Sequence, residues 1–552
     1  MRRIAYVKAT LLPSSTMHED ENKTTLSRRS ALIALGTTGA AATGAALLGG
    51  TAAEAATPPA PTASSPLLLS RPEKLGAPPV EGLHLTFGAD PTSQMVVSWT
   101  TDTSVSHPRV SYGTMEGGFG RTVQAETRTY VDGLSGKTVY THHATLSGLR
   151  ADSYYTYAAM HDGGRPDAGT FSTAPHGRAP FTFTSFGDQA VPQVTWQPDG
   201  KGGYTVALNA NNTPANADIV SGIEQVDPLF HLVNGDLCYA NLDPDRVRTW
   251  NGFFANNTRS ARYRAWMPAA GNHEDEKGNG PIGYGAYQTY FKLPSSGSDV
   301  ELAGLWYAFT VGSVRVVVLQ NDDVALQDGG DNYVYGYSGG AQRAWLEREL
   351  AKARSSRDID WIVVCMHQVM ISSSDANGAD LGLRATWGPL FDKYEVDLVL
   401  CGHEHDYERS LPVRGVVSGS ETLTPKPAST NTALIDSSKG TTHMVLGGGG
   451  VSGTTNGSFF APGKAKVITA VTPPPTAGAK HGSVYVFEDT PWQGVRDAEH
   501  PYGFAAFTVD PGKGPGSTTS IYVTYYNVIV PTGAVVPLET FTLQRKRSDG
   551  HR

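Results

Sequence analysis

Cysteine is scarce, with three in 552 residues. Three cysteines cannot build a disulfide framework, and their positions lack the paired C-x-x-C spacing of a structural zinc module. Charge is sparse as well. Asp, Glu, Lys and Arg make up 17% of the chain, the net charge is −8, and no block of like charge stands out. An acidic chain without a basic stripe offers no evident surface for nucleic acid. No stretch reaches the ~20 strongly apolar residues that a membrane span needs. What is present is 39% hydrophobic residues, enough for a packed core, and 62 glycines. The glycines follow no three-residue period, which excludes collagen and points to many tight turns. The length leads one to expect two or three domains, and nothing in the sequence fixes an oligomeric state.

The first 56 residues read as an address. Ser27-Arg28-Arg29-Ser30 precedes the uncharged, small-residue run Ala31 to Ala53, and Ala53-Glu54-Ala55 is an A-x-A-like cleavage site. The adjacent arginines and the weak apolar run favour a twin-arginine export signal over the basic start of an ordinary secretory signal. Cleavage would remove six basic and four acidic residues and leave a mature charge of about −10. No cysteine follows to carry a lipid anchor. The expected organisation is a signal at 1–56, a Pro/Ala/Ser-rich linker at 57–77, an all-β module at 78–175 and a larger module at 179–552. The expected location is extracytoplasmic.

In the first module, short alternating strands lie between turns. Gly82 to Phe87, Met95 to Thr100 (with Val97 and Trp99 on one face), Arg109 to Gly113 and Tyr140 to Leu146 are strands, and Tyr155 and Tyr157 follow at period two. About seven strands suit a β-sandwich of fibronectin type III kind. Trp99, Tyr155 and Tyr157 read as core. His142 and His143 adjoin in a strand, so they point to opposite faces and cannot share a metal.

From Ala179 the rhythm becomes α/β. Phe181 to Phe186 runs into Gly187-Asp188. A helix, Asn216 to Val226, precedes Leu229 to Val233, which runs into Asn234-Gly235-Asp236-Leu237-Cys238-Tyr239. Trp266-Met267-Pro268 leads to Gly271-Asn272-His273-Glu274. Val314 to Leu319 and a helix Ala341 to Arg354 precede Trp361 to Met366, which leads to His367. Val396 to Leu400 leads to Gly402-His403-Glu404-His405-Asp406. Each fragment alone is commonplace. Together, five strand ends supply Asp, Asp-x2-Tyr, Asn-His, His and His-x-His. The carboxyl ends of strands in an open α/β sheet converge on one rim, and all these residues are ligand types for hard or borderline cations. If the chain is extended there, the alternation in 403–405 sets both imidazoles on one side.

The series GDQ, GDLCY, GNHE, VCMH and GHEH resembles the binuclear metallophosphoesterases, and specifically the purple acid phosphatases, which the tyrosine three after the second aspartate sets apart. The resemblance covers roughly residues 78–552 and includes the fibronectin-like module of the large plant-type members. It implies a bacterial, exported enzyme with an N-terminal all-β sandwich followed by an α/β metallophosphoesterase sandwich of two mixed sheets flanked by helices. It implies iron(III) held by Asp188, Tyr239 and His405. A divalent iron, zinc or manganese ion would be held by Asn272, His367 and His403, with Asp236 bridging. Phenolate and carboxylate suit a trivalent ion, imidazole and amide a divalent one. It further implies hydrolysis of phosphomonoesters by a metal-bound hydroxide, with His273 donating a proton or stabilising the transition state. Glu274 and Asp406 are candidates to orient imidazoles, and Glu404 is expected to point away.

The sequence departs from the family pattern twice. Plant-type members carry another histidine nine or ten residues after the equivalent of His367, whereas Gln368 to Asn377 has none; Asn377 or Asp375 are the candidate replacements. Ala190 stands where glycine is usual, with little expected consequence. The polar loop Pro192 to Pro214, with Trp196, Tyr204, Asn209, Asn211 and Asn212, is a candidate substrate rim without regular structure. Residues 411–441 read as an insertion, and 442–545 as a β-rich part completing the sandwich. Gly447 to Gly450 lacks the lysine of a P-loop and reads as a backbone passing close to the rim. Cys238, Cys365 and Cys401 each sit beside a ligand position and read as packing. Two rivals remain: the same metal site acting on phosphodiesters, and an exported binding or adhesive protein with an incidental metal site.

Overall fold

The computed structural model describes residues 76–192, 194–198, 204–208, 215–451 and 459–550, with the backbone alone at 194–198 and 204–208. The expected signal and nearly all of the linker lie outside the described residues. Eight strands, rather than about seven, build the first module. Four of them form one sheet in the order Arg121–Gln124, Arg109–Thr114, Tyr154–Met160, Asp167–Ser172. The other four do not close on themselves. Glu81–Phe87 pairs in parallel with Ala265–Pro268, at Leu85 opposite Ala265, and so joins the first module to the sheet of the second.

The result is an eleven-stranded mixed sheet. Its centre is Gly503–Asp510, Phe181–Phe186, Phe230–Val233, Ala265–Pro268 and Glu81–Phe87, in that order. A second, seven-stranded sheet runs Tyr307–Val311, Val314–Val318, Trp361–Cys365, Leu398–Cys401, Thr442–Leu446, Tyr407–Ser410, Gln493–Asp497. The strands Val314–Val318, Trp361–Cys365, Leu398–Cys401 and Thr442–Leu446 are parallel neighbours. Their Val- and Leu-rich sequences fit strands covered on both faces. One apolar core spans Trp99 and Tyr157 of the first module, Phe183, Phe230 and Phe507 of the large sheet, and Val316, Val363 and Leu400 of the other. Phe183 stacks on Phe230 and Phe507, with ring centroids 5.2 and 4.7 Å away.

Helices cover the outer faces. Ala341–Ser355 buries Trp345, Leu346, Leu350 and Ala353 at helical spacing. Arg246–Ala261 has no counterpart in the sequence reading, because arginine and asparagine dilute its apolar stripe. Its Asp245 cap accepts from Arg248 N, and it buries Trp250, Phe253 and Phe254. The polar loop after Asp188 contains a hairpin, Val194–Pro198 with Tyr204–Leu208, contrary to the expectation of no regular structure. The side chains of 193–214, including those expected at a substrate rim, lie outside the described residues. The late strands Gly503–Asp510 and Thr518–Ile529 extend the large sheet, as expected, and Ala534–Lys546 adds to them. Leu434–Asp436, within the expected insertion, pairs at its far edge. No helix among the described residues is long and apolar enough to cross a membrane.

Candidate metal centre

Parallel strands in register end together, so the two sheets bring their strand ends to one rim. Asn234 ties that rim. Its Oδ1 accepts from Ser185 Oγ (2.8 Å) and Cys365 Sγ (3.2 Å), its Nδ2 donates to the Cys401 carbonyl (3.2 Å), and its carbonyl faces His367 Nδ1 (2.7 Å). The sequence reading passed over Asn234. Its only local signal is adjacency to Gly235-Asp236. The three cysteines are buried and unpaired with one another, as the packing reading expects.

The seven sequence-derived donors fall into two groups, linked where His403 N donates to Asp188 Oδ2 (2.9 Å). Tyr239 Oη donates to Asp188 Oδ1 (3.1 Å) and lies 3.0 Å from His405 Nε2. His405 Nε2 is 3.4 Å from the same Asp188 oxygen. On the other side, His367 Nε2 lies 3.1 Å from Asp236 Oδ2, 3.0 Å from Asn272 Oδ1 and 3.2 Å from His403 Nδ1. Donor atoms of Asp236, His367 and His403 lie within 4.8 Å of one another.

Backbone strain concentrates here. Asp188, Ala190, Asp236, Tyr239 and His403 have φ of 60, 60, 51, 58 and 71°. Together they are half of the ten left-handed non-glycine residues described, and such conformations persist only where surroundings enforce them. Ala190 therefore carries a cost of about 1 kcal/mol that glycine would avoid, more than the sequence reading allowed. The extended geometry expected for 403–405 is also corrected. His403 is left-handed and sits in a turn in which Glu404 N donates to Gly402 O (2.9 Å), and this turn aims the imidazoles. The motif glycines have no room for a side chain. A Cβ on Gly271 would lie 2.2 Å from Asp236 Oδ1, and one on Gly402 2.3 Å from Asp188 Oδ2. Gly447 packs on Glu404 and Asp188, as expected of a backbone passing close to the rim.

The partners outside the donor set differ from expectation. Glu274 orients no imidazole. Its carboxylate accepts from the backbone N–H of Asp236, Leu237 and Gly271 at 2.8–2.9 Å and so shapes the loop that carries Asp236. Asp406 Oδ1 is buried with no hydrogen-bond partner among the described residues, and Asp406 feels the charges of Glu408, Glu404, Asp188 and Arg496. Glu404 points away, to the amides of Asn377 and Gly378. The imidazole partners are instead the Asn234 carbonyl for His367, Gln327 Oε1 for His403 Nε2 (2.7 Å) and Asn241 Oδ1 for His273 Nδ1 (2.9 Å). Gln327, which the sequence reading missed, donates to Asn377 Oδ1 (3.0 Å). Of the two suggested replacements for the absent histidine, Asn377 thus adjoins the site through Gln327, whereas Asp375 is exposed. His273 faces the pocket, with its ring 4.4 Å from that of Tyr239 and its Nε2 3.9 Å from Asp236 Oδ2.

The charge balance tests whether cations fit. Asp188 and Asp236 are buried, and among the described residues no lysine or arginine bonds any of the seven donors. Burial pushes Asp188 up, and burial with the two carboxylates pushes Tyr239 far up. Against burial, which lowers it, the Asp236 carboxylate raises His367 to about 10. Without cations the pocket keeps protons between its own donors. Multivalent cations would displace those protons and satisfy the same charges. The donor set therefore fits a pair of metal ions, with the harder oxygen donors on the Asp188 side.

Residues 80–185 match the purple acid phosphatase N-terminal domain, and residues 209–407 match the calcineurin-like phosphoesterases. An uncharacterized protein of Mycobacterium tuberculosis is 56% identical over 473 residues, covering 86% of this chain and 88% of its own length. A phosphoenolpyruvate phosphatase of Allium cepa is 27% identical over 348 residues, 61% of this chain and 64% of that one. The purple acid phosphatase isolated from yellow lupin (Lupinus luteus) seeds has the same fold, with a TM-score of 0.59, 22% identity, and coverage of 86% of this chain and 75% of that one. The chain belongs to the calcineurin-like metallophosphoesterases that carry a purple acid phosphatase N-terminal domain. It is a phosphoesterase by family, and its fold implies a binuclear metal centre.

Proposed function

We propose that this chain is an exported phosphatase that hydrolyses phosphomonoesters. The observation that carries the reading is the clustering of Asp188, Tyr239 and His405, and beside them of Asp236, Asn272, His367 and His403, with His403 N donating to Asp188 Oδ2. The first group would hold iron(III), the second a divalent iron, zinc or manganese ion, and Asp236 would serve both. Bound there, the two cations would supply Lewis acidity for attack of water at phosphorus. Asn241 Nδ2 donates to Asp331 Oδ1 (3.2 Å), which turns its Oδ1 towards His273. His273 Nδ1–H donates to that oxygen, so Nε2 is left facing the pocket. A proton carried on Nε2 is placed to pass to the departing alkoxide or phenoxide. Burial, and then the neighbouring His367, lower His273 below its ordinary value, while the Asp236 carboxylate pulls it up.

The monoester preference is supported by the onion relative, whose name gives phosphoenolpyruvate as substrate. Export is supported by Arg28-Arg29, the mild apolar run after them and Ala53-Glu54-Ala55. Metal analysis with an absorption spectrum and a paired assay on mono- and bis-nitrophenyl phosphate test the proposal. We expect two metal ions per chain, a visible tyrosinate–iron band that Tyr239→Phe abolishes, and faster cleavage of the monoester. Faster cleavage of the diester would replace the substrate class. Protein holding two metals that cleaves neither ester from about pH 4 to about pH 9 would end the enzyme reading.

A further inference from the structure

We propose that Lys480, at the tip of the hairpin formed by Lys464–Thr472 and Gly482–Asp489, is the fixed cation that reads the second negative charge of the substrate's phosphate and thereby selects monoesters over diesters. The inference rests on the hydrolase reading above.

The tip is stiff. Residues 473–475 are three consecutive prolines, and Gly478 turns the chain with φ +82°. The tip is also docked. His481 N and His481 Nδ1 both reach Asp328 Oδ2, at 2.8 and 2.9 Å, and the imidazole lies 4.2 Å from the Tyr333 ring. Asp328 belongs to a short strap that lies across the donors of the divalent site. One residue before it, Gln327 bonds His403. One residue after it, Gly329 presses on Asn272, so closely that a Cβ there would lie 2.9 Å from the Asn272 amide carbon.

Lys480 Nζ donates to the Gly329 carbonyl (2.9 Å), and Asn272 Nδ2 donates to the same oxygen (3.1 Å). The ammonium is therefore two hydrogen bonds from a donor of the divalent site. The strap carboxylate Asp328 is taken by His481. Among the described residues Lys480 forms no ion pair. An ammonium has three donors and one is used here, so two N–H groups remain on an exposed side chain at the rim. Among the described residues no lysine or arginine bonds the seven donors, and a phosphomonoester is close to dianionic at neutral pH, whereas a diester has one negative charge. A lysine point charge at this place favours the dianion.

Lys480→Gln and Lys480→Arg in the metal-loaded enzyme test this, using nitrophenyl phosphate, bis-nitrophenyl phosphate and calorimetric titration with inorganic phosphate. For Lys480→Gln we expect roughly tenfold increases in KM for the monoester and in Kd for inorganic phosphate. The diester KM, kcat, metal content and visible spectrum should stay near wild type, and Lys480→Arg should recover most of the monoester loss. Equal effects on both esters, unchanged phosphate affinity, or loss of metal from Lys480→Gln would overturn the assignment. If the wild-type enzyme cleaves neither ester, the hydrolase reading falls, and the phosphate titration alone decides whether Lys480 binds the anion.

Discussion

Two pairs of histidines contrast the two halves of the molecule. His142 and His143 lie in a strand of the first module, and His403 and His405 lie in the loop after Leu398–Cys401. In the strand, adjacent side chains part to opposite faces. His142 lies between the hydroxyls of Thr101 and Thr127, each 2.9 Å away, and His143 between Ser98 Oγ and the Thr289 carbonyl, at 2.7 and 2.9 Å. Every ring nitrogen has a partner, and none of these partners is a carboxylate. In the loop, the left-handed His403 and the turn that follows bring both imidazoles to one pocket with Asp188 and Asp236. Burial alone does not make a buried histidine a ligand. The difference is the backbone, which decides whether neighbouring donors diverge onto hydrogen-bond partners or converge on a shared charge.

The sharpest way to break the contrast is Asp236→Ala, because the proposed centre gives Asp236 to both cations. It should lower activity by more than about 100-fold, beyond the cost of losing a partner outside the donor set, and it should lower bound metal. Asp236→Asn should do the same with less change in shape. The next largest effect is expected from Gly402→Ala, whose Cβ would meet Asp188 Oδ2 at 2.3 Å and the Asn234 carbonyl at 2.8 Å. We expect a roughly 10- to 100-fold loss of activity together with metal loss at an intact circular dichroism spectrum. Gln327→Leu should weaken the hold on His403 and raise metal loss to a chelator about tenfold.

The smallest effect belongs to the first module and concerns stability alone. Burial, and then His161, lower His142 to about 4 from an ordinary value of 6.5. Between those values the unfolded chain binds a proton that the folded chain refuses, so stability falls as pH drops from about 6.5 towards about 4. His142→Gln should remove a share of that loss on the order of 2 kcal/mol, read from denaturant midpoints at neutral and acid pH. Activity at neutral pH should be unchanged. If His142→Gln lowered metal content, or Asp236→Ala spared it, the contrast between the two pairs would fail.

Four of the donors, Asp188, Asp236, Asn272 and His403, were legible in the sequence because each follows a glycine just after an apolar run, whereas Tyr239, His367 and His405 have no glycine beside them. Local hydrophobic pattern finds such runs, and the resemblance to the purple acid phosphatases then groups the seven residues into a set. The helix Arg246–Ala261 was not legible, since polar residues mask its buried stripe. The role of Glu274 was not legible either, because its partners are backbone amides that carry no residue-type signal.

The sequence by itself placed ligand-type residues at strand ends through short-range pattern, and its motifs, by their resemblance to the purple acid phosphatases, supplied the expected chemistry. Tertiary structure alone decided the rest. Sheet pairing across Leu85 and Ala265 fused the first module to the second. Asn234 joined strand ends that are far apart in sequence, and Gln327 reached His403 across 76 residues. A hairpin tip 153 residues beyond Asp328 placed Lys480 at the rim. Such contacts depend on where sheets stack and where backbones turn left-handed, and neither leaves a period in the chain. The three thiols are buried and unpaired with one another, and the packing rests on two large apolar clusters rather than on disulfides among the described residues.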